Sequence, residues 1–388
     1  MKKLTFITNP LTNYGGGEVW VLEVCKELYK IYNITILDPH TNKKEYRVSD
    51  NYINYILKKR KINRLIFSNY GIKSNIEGYP FTLLIPKISS FYLILKTIKN
   101  SDVIYCLSSN PFILTTTIFL SRIFRKKMIY GIHNTYFTTL FSIDNKIPFL
   151  RKLIKNYSII FLKSVKYFHA VSETHVNIIK KHFNKAHIYH VPNFIADKEE
   201  SKTYFNNKRF VVLFVGRLSV YEKGLDFLVD IITKTLDINK NVYFRIAGSG
   251  LDGETLLKPL EIKYKNNVKL CGFLNKKQIL KEYKNSNLLI FTSRDEIFPL
   301  VLLEAQNFGL PVIAFNVNGP KEIIKNSLQG ALIKNFNIEE FSNLILSYYK
   351  KWLNNKEYYI NKKTIKYTIN KYYNKKNIIN LIINFLKL

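Results

Sequence analysis

Short apolar runs rich in β-branched residues alternate with longer amphipathic stretches along the whole chain. In the first half such runs include LTFIT at 4–8 and KMIYGIH at 127–133, and in the second half FVVLFVG at 210–216 and LLIFTS at 288–293. Strands that alternate with helices form parallel sheets whose faces the helices cover. Because the series runs through the chain twice, we predict an α/β fold of two doubly wound, Rossmann-like domains.

The length of 388 residues also suits two domains better than one. The boundary is best placed after Val191-Pro192-Asn193, because the polar segment that follows, DKEESKTYFNNKR, has neither strand nor helix periodicity. We predict an N-terminal domain at 1–193, a linker at 194–207, a C-terminal domain at 208–357, and a helical tail at 358–388 that packs back toward the N-terminal domain.

The chain is strongly basic, with 60 Lys and Arg against 28 Asp and Glu and a formal charge of +32. Such a surplus suits nucleic acid, an anionic membrane or a phosphorylated small molecule. The sequence has no concentrated basic motif and no aromatic strand of the kind that binds RNA bases, so we expect no nucleic-acid partner. The charge therefore favours the other two classes.

Secretion and membrane insertion are both disfavoured. The three cysteines, without a C-x-x-C pair, predict neither a disulfide framework nor a structural zinc site. The start of the chain lacks the pattern of a signal peptide. Residues 103–121 are uncharged and close to a membrane-spanning length. Ser108-Ser109-Asn110-Pro111 lies within that run and indicates a strand end followed by a capped helix, so we predict no spanning segment.

Two loops that follow predicted strands contain glycine. Ligands of open α/β sheets bind outside the carboxyl ends of the strands, which makes these loops candidates for a site. In Gly15-Gly16-Gly17-Glu18 the backbone can approach an anion closely at a helix start. In Val215-Gly216-Arg217-Leu218, followed by Lys223, two cations could converge on one anion. The alternatives are a plain glycine turn and two ordinary surface cations.

A third loop carries two glutamates. Glu296 follows the strand that ends at Thr292, and Glu304 lies in the second turn of a helix that starts near Pro299, within the apolar run LVLLEA. A carboxylate there is costly to bury without partners, whereas the two adjacent hydroxyls of a ribose would satisfy it. The helix start beside it could hold a phosphate. The alternative is a structural glutamate paired with a buried cation.

Two further features are compatible with a site. Asn318-Gly319-Pro320-Lys321-Glu322 forms a turn after the strand PVIAF, which suits a close backbone approach to a ligand. His133 ends the strand KMIYGIH. It is either a ligand-binding residue or an ordinary packed or surface histidine. The chain has no H-E-x-x-H motif, no P-loop and no nucleophile elbow.

Taken together, these segments resemble the retaining glycosyltransferases of family 4, of the bacterial surface-polysaccharide type. The family has the GT-B fold, in which two Rossmann-like domains face each other across a cleft. The resemblance rests on GGGE at 15–18, HAVSE at 169–173, VPN at 191–193, VGRL…KG at 215–224, IAGSG at 246–250, VKLCGF at 268–273 and the whole of 293–324, which holds two glutamates eight residues apart.

The resemblance implies roles for matched positions. Glu304 would bind the ribose hydroxyls of a nucleotide sugar, and Glu296 a hydroxyl of the transferred sugar. Arg217 and Lys223 would neutralise the pyrophosphate as it leaves, which is where negative charge develops. His133 would sit against the sugar. The implied catalytic residues are therefore Arg217, Lys223, Glu296 and His133. The implied donor-binding residues are Gly16, Gly17, Gly216, Gly248, Phe273, Phe298, Leu300, Val301 and Glu304.

Two positions depart from the family pattern. Pro299 stands where many members have glycine, and Phe194 replaces the glycine that usually follows P-N in the linker. The F-P-L version resembles bacterial users of UDP-hexose or UDP-N-acetylhexosamine, which favours a UDP-linked donor. No D-x-D motif lies near a strand end, so we expect a metal-independent enzyme without a further cofactor.

The expected reaction is transfer of a hexose or N-acetylhexosamine to a saccharide or polyprenyl-linked acceptor, in capsule, exopolysaccharide or lipopolysaccharide synthesis. The rival interpretation is an isomerase on the same fold that resembles the UDP-N-acetylglucosamine 2-epimerases. The two differ in product, because the epimerase releases a free epimer.

Basic clusters with interleaved apolar residues predict a location. They lie at 58–61, 122–127 and 147–155 in the N-terminal half. A helix of that composition can lie in an anionic membrane surface. We therefore expect a cytoplasmic protein attached peripherally to the inner face of the cell membrane. The alternative is a solvated basic face over an ordinary core.

Overall fold

The computed structural model describes residues 1–388 except 14, 41–48, 77–78, 134–135, 142–148, 196–208, 355 and 388. Most of the predicted linker lies outside the described residues. The chain forms two compact units, the first made of residues 1–193 with 376–388 and the second of residues 194–375.

The first unit is built on an eight-stranded sheet. Its strands are β1 (Lys3–Ile7), β2 (Asn33–His40), β3 (Asn63–Ile76), β4 (Tyr79–Pro86), β5 (Val103–Cys106), β6 (Lys127–Ile132), β7 (Tyr167–Ala170) and β8 (His187–His190). They lie in the order β4-β3-β2-β1-β5-β6-β7-β8, and every pair is parallel except the β3–β4 hairpin. All four residues of β5 are buried, as expected for a central strand with helices on both faces.

The helices of this unit connect the parallel strands. They are α1 (Gly16–Leu28), α2 (Asp50–Lys58), α3 (Ile88–Lys99), α4 (Pro111–Ile123), α5 (Tyr136–Phe141), α6 (Phe149–Leu162) and α7 (Glu173–His182). The uncharged run at 103–121 is divided between β5 and α4, as predicted. The Asn110 side chain caps α4 by accepting from the Phe112 and Ile113 amides at 3.1 and 3.3 Å. Across the described ranges, no helix is both long and apolar enough to cross a membrane.

The second unit has a six-stranded sheet in which all strands are parallel, in the order β11-β10-β9-β12-β13-β14. The strands are β9 (Phe210–Val215), β10 (Val242–Ala247), β11 (Val268–Gly272), β12 (Leu288–Phe291), β13 (Val312–Phe315) and β14 (Gly330–Ile333). The helices are α8 (Val220–Lys223), α9 (Leu225–Ile238), α10 (Leu251–Lys263), α11 (Lys276–Lys284), α12 (Leu300–Asn307), α13 (Asn318–Ile323), α14 (Ile338–Leu353) and α15 (Lys356–Tyr372). The prediction of an α/β fold with two doubly wound sheets is therefore confirmed.

The predicted tail at 358–388 is divided between the two units. Helix α15 packs on α12 in the second unit, where Gly309 leaves room for the Lys362 backbone. The last helix, α16 (Lys375–Lys387), contributes residues 376–388 to the first unit. Its buried stripe is Ile378, Ile379, Ile382, Phe385 and Leu386. The stripe recurs at helical spacing, and its Phe385 ring packs against Tyr105 and Tyr189 of the first unit.

Candidate functional site

The loops that carry most of the predicted site residues lie side by side in the second unit. Strand β9 pairs with β10 on one side and with β12 on the other. The carboxyl ends of parallel strands meet at one edge of the sheet. The loops after these three strands therefore form a single cluster, which holds Arg217, Gly248 and Glu296.

Glycines hold two of these loops in contact. The Gly216 amide donates to the Ala247 carbonyl and the Leu218 amide to the Ser249 carbonyl, both at 3.0 Å. Gly248 has a φ of +155°, and a Cβ atom there would overlap the Gly216 carbonyl. Only glycine fits this position without strain. The close pairing fixes the backbone from which the Arg217 side chain extends.

The two predicted cations behave differently. Arg217 is half exposed, and its guanidinium lies 2.9 Å from the Glu222 carboxylate. Lys223 forms an ion pair with Glu296, in which each side chain is only 21% exposed. The structure thus brings together Lys223 and Glu296, which are 73 residues apart. A partly buried pair is screened less by salt than a surface pair.

The segment that carries Lys223 is anchored to the β12 loop. The Thr292 hydroxyl donates to the Lys223 carbonyl at 2.7 Å. Gly224 adopts a φ of +60°, and a Cβ atom there would overlap the Thr292 carbonyl. The Arg294 guanidinium adds an ion pair with Asp226. These contacts position the Lys223 ammonium beside Glu296.

Asp295, next to Glu296, is exposed. Partial desolvation raises the pKa of the Asp295 carboxyl and the negative charge of Glu296 raises it further, whereas the positive charge of Lys223 lowers it. The two adjacent carboxylates of this loop can accept hydrogen bonds from donor groups of a ligand. A ligand with several hydroxyl groups supplies such donors.

Glu304 has a phenol as a hydrogen-bond partner. It lies half-buried in the second turn of α12, where its Oε2 accepts from the Tyr283 hydroxyl at 2.8 Å. Burial raises the pKa of Tyr283 well above its ordinary value, and the Glu304 charge adds to this effect. The phenol therefore stays protonated and orients the carboxylate.

The start of α12 is held by α13, the short helix that follows β13. Pro299 is the N-cap, and Leu300 and Val301, the first helical residues, are half-buried. The Gly319 amide donates to the Glu296 carbonyl at 2.7 Å. A Cβ atom on Gly319 would lie 2.7 Å from Pro299 Cδ, so only glycine allows this approach. Residues 318–322, which the sequence predicted as a turn, belong instead to helix α13, and this helix supports the Glu296 loop.

Two aromatic residues predicted to bind the donor have contrasting surroundings. Phe298 is buried, and its ring packs edge-on against Tyr373 with centroids 5.7 Å apart. Phe273 follows β11 and is 51% exposed. A packed ring contributes to the shape of a site mainly through its backbone, whereas an exposed ring can stack on a ligand.

In the first unit, the glycine loop and His133 are neighbours. A Cβ atom on Gly17 would lie 3.8 Å from His133 Cβ, and Gly16 beside it is exposed. The His133 ring packs on Trp20 with centroids 4.5 Å apart. Neither ring nitrogen of His133 has a hydrogen-bond partner within the described part of the chain. Both nitrogens are also shielded from solvent in this arrangement.

The charge state of His133 follows from its surroundings. Burial lowers its pKa well below the ordinary value, and His169 and His175 lower it further. The imidazole is neutral near pH 7, so one nitrogen donates and the other accepts. His169 itself is held by Tyr105, whose hydroxyl contacts Nδ1, and by the Val191 carbonyl, 2.7 Å from Nε2.

Sequence reasoning missed several supporting residues. It assigned no role to Tyr283, Asp226 or Arg294, and it assigned none to Trp20 beside His133. Each acts through a partner distant in the sequence, so no local pattern indicated it. No group of three or more His, Cys, Asp or Glu residues that could hold a metal ion occurs among the residues described.

Two family models match the chain. Residues 14–199 match the model described as Glycosyltransferase Family 4, and residues 196–370 match the one described as Glycosyl transferases group 1. The two doubly wound units have the fold of the GT-B glycosyltransferases. Each half of the chain is similar to one of these two glycosyltransferase families.

The chain is similar in sequence to proteins of Klebsiella pneumoniae and Erwinia amylovora. An uncharacterized 41.2 kDa protein in the cps region of Klebsiella pneumoniae is 28% identical over 256 residues, which are 63% of this chain and 69% of that protein. The amylovoran biosynthesis glycosyltransferase AmsD of Erwinia amylovora is 34% identical over 161 residues, 39% of this chain and 43% of AmsD. The chain thus matches less than half of the length of AmsD.

The fold resembles that of Alr3699/HepE from Anabaena, whose structure contains UDP and glucose. The TM-score is 0.74 at 17% sequence identity, and the match covers 100% of both chains. At this identity the likeness shows the fold alone.

Proposed function

We propose that the protein is a retaining glycosyltransferase that moves a hexose or N-acetylhexosamine from a UDP-linked donor to a saccharide or lipid-linked saccharide. The observation that carries the proposal is the Lys223–Glu296 pair, held in the same loop cluster as Arg217. One cluster then supplies positive charge for a pyrophosphate and a carboxylate for sugar hydroxyls.

The donor nucleotide is assigned to Glu304. Its carboxylate accepts hydrogen bonds from the two ribose hydroxyls, and Tyr283 holds it in position. The amides of Leu300 and Val301 begin an eight-residue helix, where the helix dipole favours a phosphate oxygen. Gly216 and Gly248 allow the backbone to approach the donor, and Phe273 offers its exposed ring.

The transfer step needs charge stabilisation more than a protein nucleophile. The bond between the anomeric carbon and the β-phosphate oxygen breaks, and the acceptor hydroxyl oxygen bonds to that carbon on the same face. The hydroxyl proton passes to the departing UDP. Lys223 and Arg217 stabilise the charge that develops on UDP, and such preorganised groups commonly dominate catalysis. Two cations can supply this charge, so we propose that the reaction needs no metal.

Residues of the first unit are assigned to sugar and phosphate oxygens. The neutral His133 imidazole can donate to one hydroxyl and accept from another, because its nitrogens have no partner among described residues. The Gly16 and Gly17 amides at the start of α1 can donate to an anionic oxygen.

The comparisons support the substrate and pathway. HepE is a GT-B protein seen with UDP and glucose, and AmsD acts in amylovoran biosynthesis. The Klebsiella relative is encoded in a cps region. We therefore place the reaction in bacterial surface-polysaccharide synthesis, on the inner face of the cell membrane, with peripheral attachment.

A nucleotide-sugar screen tests the donor assignment. UDP and UDP-sugars should raise the melting temperature, because a ligand at about 100 times its Kd stabilises by about 2.7 kcal/mol. Glu304→Gln should abolish most of that shift. Lys223→Met should reduce transfer about a hundredfold or more.

A matched control uses another lysine–glutamate pair. Lys234 lies 3.5 Å from Glu339 on the surface of the same unit. Lys234→Met should leave transfer unchanged. Equal activity of the Lys223→Met and Lys234→Met proteins would refute the site assignment. Release of a free epimer instead of sugar transfer would favour the epimerase.

A further inference from the structure

We infer that helices α3, α4 and α6 form a docking surface for an anionic lipid bilayer. This inference rests on the proposed function for its biological purpose, but its evidence is independent of the donor site. It lies in the outer side chains of these three helices, called here the α3–α4–α6 face.

The three helices form one continuous layer. Helix α4 packs against both α3 and α6. The rings of Phe112 on α4 and Tyr157 on α6 have centroids 6.2 Å apart, and the Tyr157 hydroxyl lies 3.0 Å from the Thr115 hydroxyl. Their outer side chains therefore act as one surface.

This surface is unusually apolar for helices at the outside of a unit. Ile88 at the start of α3 is 93% exposed, Phe119 on α4 is 52% exposed, and Ile160 on α6 is 67% exposed. Surface helices normally present polar residues on the side away from the core. Exposed apolar residues on adjoining helices are typical of an interaction surface.

The apolar positions form stripes with helical spacing. On α6, Leu153, Tyr157 and Ile160 are exposed at positions i, i+4 and i+7. On α4, Phe119 and Ile123 are exposed four residues apart. By contrast, the exposed residues of α7 are Glu173, Asn177, Lys180, Lys181 and His182, all polar. Helices α4 and α6 thus present exposed apolar stripes that α7 lacks.

The same face is basic and has no acidic residue. Helices α3, α4 and α6 contain neither Asp nor Glu, and residues 79–172 hold 13 Lys and Arg against 2 Asp. The exposed cations of the face and its edges are Lys96, Lys99, Arg122 and Lys163. None of these four has a carboxylate partner within the described ranges.

The combination of positive charge and exposed apolar residues indicates which partner binds the α3–α4–α6 face. A second copy of the same face would place cations against cations, because no acidic side chain is available to pair with them. A nucleic acid would satisfy the cations but not the aliphatic Ile88, Ile123 and Ile160. A bilayer with anionic headgroups satisfies both, because apolar side chains insert at the acyl boundary while lysines and arginines remain among the headgroups.

Helices α3, α4 and α6 run from the carboxyl edge of the sheet toward its opposite edge, and this fixes where the face lies within the first unit. Helices that connect parallel strands start at the carboxyl edge of the sheet. The Lys87 amide before α3 donates to the Ser68 carbonyl at 3.1 Å, beside the end of β2. Ile88 and Leu153 therefore lie toward the sheet edge that carries His133. Lys96, Lys99 and Arg122 lie in the last turns of their helices, toward the opposite edge.

The predicted basic clusters contribute unequally to the α3–α4–α6 face. Lys127 of the cluster at 122–127 donates from Nζ to the Phe385 carbonyl at 2.9 Å, so its ammonium is bound to the protein. The cluster at 58–61 lies at the end of α2, outside the face. Residues 147–148 of the cluster at 147–155 lie outside the described residues.

The experiment is co-sedimentation of the full chain with phosphatidylglycerol vesicles and with phosphatidylcholine vesicles. We expect binding only to phosphatidylglycerol, weakening as salt rises, because surface attraction is screened within about 8 Å at physiological ionic strength. The double variant Ile123→Ser with Ile160→Ser should weaken binding about tenfold or more at constant salt. The double variant Lys96→Gln with Lys99→Gln should weaken binding to phosphatidylglycerol vesicles and make that binding less dependent on salt.

A matched control replaces exposed isoleucines of the second unit, Ile238→Ser with Ile262→Ser, and should bind vesicles as the unchanged protein does. The melting-temperature shift with UDP, measured on all variants, reports folding and the donor site separately. Absence of phosphatidylglycerol binding at low salt, or unchanged binding of the Ile123→Ser, Ile160→Ser variant, would overturn the inference. A dimer that this double variant disrupts would also overturn it. Loss of the UDP shift with intact vesicle binding would refute the donor site alone.

Discussion

The first unit should lose stability when the pH falls from about 7.5 to about 5.5, because it buries histidines in the neutral form. His175 is buried, and burial lowers its pKa to about 3. The pKa of His169 falls to about 4 for the same reason. The sharpest perturbation is His175→Leu, because neither His175 ring nitrogen has a hydrogen-bond partner within the described part of the chain.

The sign and size of this loss of stability follow from the linkage between proton binding and folding. Above a pH of about 6.5 the His175 ring is neutral in both the folded and the unfolded chain, so it has no effect on the pH dependence of stability. Below that pH the unfolded chain takes up a proton and the folded chain does not, until the pH approaches the folded pKa of about 3. At about pH 5.5 the cost is about 1.4 kcal/mol for this histidine.

The assay is urea unfolding followed by tryptophan fluorescence. The chain has two tryptophans, Trp20 in the first unit and Trp352 in the second. A Trp352→Phe background leaves Trp20 as the reporter of the first unit. Between about pH 7.5 and about pH 5.5 the unchanged protein should lose about 1.4 kcal/mol more than the His175→Leu variant.

Comparing the unchanged protein with the His175→Leu variant cancels the contribution of the other titratable groups to the pH dependence of stability. Burial raises the pKa of Glu18 and of Asp38, which favours the folded state as the pH falls, but both groups are present in both proteins. Equal losses in the unchanged protein and the His175→Leu variant would refute the conclusion that His175 is held neutral.

Other predictions concern the second unit. Arg217→Ala should lower kcat/KM about a hundredfold to a thousandfold with little change in melting temperature, measured by sugar transfer and calorimetry; near-normal turnover would contradict the role of Arg217. Tyr283→Phe should weaken UDP binding in calorimetric titration about fivefold, because about 1 kcal/mol of hydrogen bonding to Glu304 is lost, and unchanged affinity would argue against positioning of that carboxylate. Gly248→Ala should lower the free energy of unfolding by about 2 kcal/mol or more, because its Cβ would overlap the Gly216 carbonyl, and normal stability would show that the loops can separate. Transfer should survive EDTA, and a strict requirement for Mn²⁺ would contradict the metal-independent mechanism.

Much of the architecture was predictable because it depends on local patterns. Continuous apolar runs such as VIYC in β5 indicate strands covered on both faces. The Asn110-Pro111 pair indicated that the uncharged run at 103–121 breaks into a strand and a helix. The positions of Arg217 and Glu296 at strand ends followed from the same alternation.

The sequence alone did not reveal how these residues are paired. The Lys223–Glu296 and Arg294–Asp226 ion pairs join residues 73 and 68 positions apart. The Tyr283 hydroxyl that orients Glu304 comes from a different helix. Which side chains meet depends on the order of strands in the sheet, and strand order leaves no periodic signal along the chain.

Local sequence determined the secondary structure because the periods of helix and strand come from backbone geometry and act over a few residues. Tertiary structure alone decided the division of the C-terminal tail between two units. It also decided that His133 packs beside Gly17 and Trp20 of α1 and that the apolar sides of α4 and α6 remain exposed. These outcomes depend on which surfaces bury each other, and that depends on every element of the fold at once.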